Sequence, residues 1–123
     1  MATVTPTLTI SSSDALVDRL ALSVTDSLDI TGQSQFGKKL TKGALVELFG
    51  TSFGNSMVYL KNLSTSTATR GTDGIIVSFG SNEELLLGAG EFALIPWDGG
   101  AALKIKHNGT GAAPFAEFAI FEF

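Results

Sequence analysis

The 123-residue chain is 44% hydrophobic and only 16% charged, with a formal charge of −4, no cysteine and one histidine, His107. A chain of this length buries about two-thirds of its unfolded surface, so a single self-standing domain is expected and disordered or collagen-like classes are excluded. The lack of thiols excludes disulfides, thiolate zinc sites, iron–sulfur clusters and cysteine nucleophiles, and a lone imidazole excludes a multi-histidine metal centre.

The first segment alternates, with threonines at 3, 5, 7 and 9 on one face and Val4, Pro6, Leu8 and Ile10 on the other, which is a strand of period two. Pro6 has no N–H to give, so the strand belongs at a sheet edge or is an arm that pairs with a neighbour. Residues 1–13 are therefore read as an N-terminal arm or edge strand and residues 14–123 as a single β-sandwich domain. As an arm, the segment would add a strand to another sheet and seat Val4, Leu8 and Ile10 as docking side chains in pockets there. An ordinary first strand of the same sandwich is the alternative. Ser11, Ser12 and Ser13 ahead of Asp14 to Leu20 fit a capped helical turn. From Leu20 the even positions are apolar except Asp26, giving one half-buried strand or two broken near Asp26. A polar, lysine-bearing loop is expected from Gly32 to Gly43.

Seven further runs, at 44–49, 57–63, 75–79, 84–87, 92–97, 103–106 and 115–123, are short and rich in leucine, β-branched or aromatic residues. Gly, Asn, Asp, Ser and Pro separate them, and no amphipathic helical run competes. The chain reads as all-β, an antiparallel sandwich of jelly-roll-like type with eight to nine strands. The last run is apolar on both faces, with Phe118 and Ile120 on one and Phe115, Phe121 and Phe123 on the other. Such a strand is central in a sandwich or lies between subunits. A chain that closes on Phe123 favours the second, with Phe115, Phe121 and Phe123 as an oligomer interface. Low charge and positive mean hydropathy agree with a surface partly covered by assembly.

Three strings imitate chemical motifs without their context. Gly50-Thr51-Ser52-Phe53-Gly54 fits G-x-S-x-G, with Asp98 and His107 following in hydrolase order, but a strand rather than a helix follows the serine. Gly32 to Lys39 fits G-x-x-x-x-G-K with Lys39 where a hydroxyl should hold magnesium. Gly88-Ala89-Gly90 opens a loose dinucleotide pattern, yet Pro96 falls where its helix would run. Asp26 and Asp29 read as solvated strand carboxylates, and His107, beside Asn108-Gly109, as an exposed turn residue. Trp97 is a core plug, a sugar-stacking platform or an interface anchor. No catalytic, cofactor or metal residue is assigned, and the chain is read as non-enzymatic. Eight basic residues against twelve acidic ones argue against a nucleic-acid partner. No apolar run approaches the roughly 20 residues of a membrane span and no secretory leader is recognisable, so a soluble protein made in a cytosol is expected.

Val58-Tyr59-Leu60-Lys61-Asn62, then Ile75 to Phe79, Leu87-Gly88-Ala89-Gly90-Glu91 running into Pro96-Trp97, and a closing strand with Glu117-Phe118 resemble small β-sandwich proteins of tailed-bacteriophage virions. The resemblance covers about residues 57–123. It implies a capsid decoration, or cement, protein that binds the major capsid protein on the virion surface and stabilises the shell. Proteins of that kind are commonly homotrimers and have no enzymatic site to carry over. A carbohydrate-binding β-sandwich used in host recognition is the alternative.

Overall fold

The computed structural model describes residues 2–14, 17, 19–65 and 73–123. Among them every regular element is a strand and none is a helix. The helical turn expected over Asp14 to Leu20 falls in part on residues 15, 16 and 18, outside the described ones. The chain divides into two compact units, Met1–Thr31 and Gly32–Phe123.

The first unit is a two-stranded antiparallel ribbon in two stretches. β1 (Ala2–Val4) and β2 (Thr7–Ser12) form one side, and β3 (Leu20–Thr25) and β4 (Leu28–Ile30) the other; β1 pairs with β4 and β2 with β3. The two interruptions face one another. Pro6 cannot donate, and its carbonyl accepts from Asp26 N at 3.1 Å, bridging the break beside Ser27. This resolves the ambiguity at Asp26 in favour of two strands.

Among its described residues the second unit holds eight strands: β5 (Ser34–Leu40), β6 (Val46–Phe49), β7 (Ser56–Asn62), β8 (Gly74–Phe79), β9 (Asn82–Leu87), β10 (Phe92–Trp97), β11 (Leu103–Asn108) and β12 (Phe115–Glu122). One antiparallel sheet has the order β10-β7-β12-β5 and the other β6-β11-β8-β9. The pairs β5–β12, β6–β11, β7–β10 and β8–β9 are nested, as in one long hairpin rolled up so that β7 meets β12 and β8 meets β11. That is the jelly-roll connectivity. The twelve strands exceed the eight or nine expected for three physical reasons: Pro6 and Asp26 each split a strand, and β5 occupies the segment expected to be a loop. β5 was obscured because nearly all of it is exposed, so it has no buried face to set an apolar alternation. Lys38 and Lys39 protect this open edge from further pairing.

Alternate residues of both sheets fill the space between them. Val58, Leu60 and Ile120 from one sheet meet Val77, Leu103 and Ile105 from the other, all at 1% exposure or less. Phe49 sits among rings, edge-on to Phe53 and to Phe118 with centroids 5.4 Å away in each case. Polar groups buried with them are tied down: Asn62 donates through Nδ2 to the carbonyls of Asp73 and Leu87 and accepts from Ser64 N.

β12 is fastened at its end by the Glu122 carboxylate, which accepts from Gln33 N at 3.0 Å and Gly54 N at 2.9 Å. Those backbone donors, Gln33 first, hold its carboxyl below the usual range. A depressed folded-state value means stabilisation that is present above the ordinary glutamate range and lost as pH falls through the folded value. Glu122→Gln should therefore lower the thermal midpoint at neutral pH, and the difference from wild type should close in acid. A gap that stays constant across a pH series of melts would show that the charge is irrelevant.

Candidate interaction surfaces

The three motif-like strings have plain structural roles. Ser52 lies in an exposed turn leading to β7, while the neighbouring Phe53 is buried. Gly37, within the phosphate-loop imitation, is a residue of β5 over which the Phe118 ring lies: a Cβ there would come 3.1 Å from the ring. Gly90, at a φ of 75°, makes the turn from β9 to β10, and Glu91 accepts from Gly88 N at 3.1 Å rather than facing a ligand. Among the described residues no group of three or more His, Cys, Asp or Glu is placed to hold a metal ion. Asp26 accepts from Ser27 N, and Asp29 from the Thr3 hydroxyl.

His107 is a correction to the sequence reading. It is buried at 9% exposure on the inner face of β11, in step with Leu103 and Ile105. Asn108 still pairs with Gly74, so the strand continues past the apolar pattern before the turn begins at Gly109. Its Nε2 lies 4.0 Å from Asp73 Oδ1. Trp97 is a core plug: it is 6% exposed, packs against Phe49 and Phe53, and its indole N–H donates to the Ala101 carbonyl at 3.2 Å.

The first unit carries one exposed apolar stripe. The register Leu8↔Val24 and Ile10↔Leu22 puts four aliphatic side chains on one face, all between 42% and 53% exposed. The opposite face holds Thr7↔Thr25 and Thr9↔Ser23. Of the residues expected to dock, Leu8 and Ile10 lie on this stripe, and Val4 is half-buried in β1 opposite Leu28. Leu22 and Val24 complete the stripe, a pairing that the alternation of 20–30 allowed but did not announce.

In the second unit the two outer sheet faces differ. That of β6-β11-β8-β9 is mixed: Glu47 stands opposite Lys104 and Lys106 pairs with Glu83, beside the half-buried Ile76 and Leu86. That of β10-β7-β12-β5 is mostly apolar. Across its four strands run the rows Lys38–Glu117–Lys61–Phe92, Phe36–Ala119–Tyr59–Leu94 and Ser34–Phe121–Met57–Pro96. Phe36 is 70% exposed, Phe92 60% and Leu94 41%. Tyr59 donates to Glu117 Oε1 at 3.0 Å; burial first, then this carboxylate, pushes the phenol above its ordinary value. Phe115 and Phe121 stand on this same face, exposed and half-buried respectively, and Phe123 follows the strand with its N–H bonded to Asn55 O. β12 itself is central, between β7 and β5. Phe36 is hidden in the sequence because its segment has the composition of a loop, and Phe92 and Leu94 because a run apolar on both faces gives no sidedness.

These features define an all-β, antiparallel sandwich with open apolar surfaces. No protein-family model, curated protein or solved structure matches the chain.

Proposed function

We propose that the protein is a non-enzymatic structural subunit of a virion, a capsid decoration protein made in the host cytoplasm, which binds the major capsid protein and stabilises the shell. The observation that carries this reading is the exposed stripe of Leu8, Ile10, Leu22 and Val24 on the N-terminal ribbon. Apolar side chains displayed in a row on a two-stranded ribbon gain little from water and much from a partner's groove, while the open strand edges offer main-chain hydrogen bonds. A jelly roll is compatible with this role but also serves lectins and enzymes, so the fold alone does not choose. With Trp97 buried, the carbohydrate-binding alternative has no specific observation in its favour.

Co-sedimentation tests the reading. Shells assembled from a tailed-phage major capsid protein that is the partner should carry the chain into the pellet saturably. A chain that stays in the supernatant at every ratio overturns the proposal.

A further inference from the structure

We propose that the outer face of the β10-β7-β12-β5 sheet is covered by a second copy of this chain, packed face to face about a two-fold axis parallel to the strands. The inference goes beyond shell binding, does not depend on it, and sets a two-fold assembly in place of the homotrimer that the virion resemblance implies.

The argument starts from self-complementarity. A two-fold axis parallel to the strands, midway between β7 and β12, keeps each cross-strand row in place and reverses its order. β5 then faces the partner's β10, and β12 faces its β7. Applied to Lys38–Glu117–Lys61–Phe92, reversal sets each Glu117 against a Lys61 and each Lys38 over a Phe92 ring, a cation–π arrangement. Applied to Phe36–Ala119–Tyr59–Leu94, it sets Phe36 on Leu94 and the large Tyr59 on the small Ala119. In Ser34–Phe121–Met57–Pro96 it sets Phe121 on Met57. Each charge on the face meets an opposite charge or a ring, and each bulky central side chain meets a smaller or flexible one. An axis across the strands would instead swap the first and third rows and press the Glu117 carboxylate onto Phe121, leaving a desolvated charge without a partner.

Size and edges agree. Four strands about 4.8 Å apart and seven residues of about 3.3 Å each give a flat footprint of roughly 440 Å² per copy. Side chains standing out from that plane bring the area covered on two copies to about the 1,000 Å² that a specific interface needs. Edge-to-edge growth of the same sheet is blocked by Lys38 and Lys39 on β5 and by Pro96 on β10, the two edge strands. The face is what remains, and an isologous contact closes on itself.

The test is mass in solution of the full-length chain, read by light scattering or sedimentation at tens of micromolar. Phe36→Lys and Leu94→Glu alter exposed side chains of the edge strands, so both variants should keep the wild-type circular dichroism. Wild type should have twice the chain mass and each variant alone the mass of one chain. An equimolar mixture of the two should return to twice the chain mass, because the new lysine of one copy faces the new carboxylate of the other while Leu94 still meets Phe36 at the symmetric point. Wild type at one or three chain masses, variants that keep the wild-type mass, or a mixture that stays monomeric each overturn the proposal. A monomeric wild type whose shell binding is lost on Phe36→Lys would give the face to the capsid protein instead. Shell binding by a monomer and dimerisation without shell binding are separate readouts, so either proposal can fail alone.

Discussion

Phe49→Ala should lower the free energy of unfolding by about 3–5 kcal/mol, the range for removing a large aromatic side chain from a core. Phe49 is 2% exposed and has edge-on partners in Phe53 and Phe118, with Trp97 at 6.3 Å. These rings come from the β6–β7 connection, β12 and β10, so truncation removes a shared neighbour of both sheets. A domain of ordinary stability, about 5–15 kcal/mol, would lose a large part of it. Urea titration measures the change directly; a loss below about 1 kcal/mol would mean that the ring cluster relaxes into the cavity.

Removing residues 1–31 should abolish shell binding and leave the thermal midpoint of the remainder within a few degrees of the full chain. The cut must fall there rather than after residue 13, because β2 is paired along its length with β3 and a shorter deletion strands its partner. The buried core cluster lies entirely within residues 49–120, so the sandwich has its own reason to fold. Collapse of the midpoint would show that the ribbon is part of the sandwich's stability, and retained shell binding would move docking onto Gly32–Phe123.

The strands legible in the sequence are those whose two faces meet different surroundings. β7 and β11 alternate buried and half-buried residues without a break; the run 57–63 matches β7 to within one residue, and the run 103–106 marks the first four residues of β11. β5 was not legible, because an exposed strand with Gln35, Gly37 and Lys39 on one side has no buried face to write a pattern. His107 failed for the opposite reason: the polar side chain sits at an inward position that the Leu103 and Ile105 alternation dictates, and a neighbouring turn signal masked it. The apolar outer face became visible only through pairing register, since Phe36, Ala119, Tyr59 and Leu94 come from four separate strands and share a row only in three dimensions.

The nested pairing of the sandwich also orders events in time. β8 and β9 are neighbours in the chain and can pair at once, whereas β5 must wait for β12, which sits between it and β7. On the ribosome, one sheet of the sandwich is therefore missing an inner strand until its final segment has emerged, and β5 and β7 wait with open edges. Long-range closure of this kind is slow and exposes strand edges to other chains meanwhile. Lys38 and Lys39 stand on one of those waiting edges, where charge disfavours pairing with another chain.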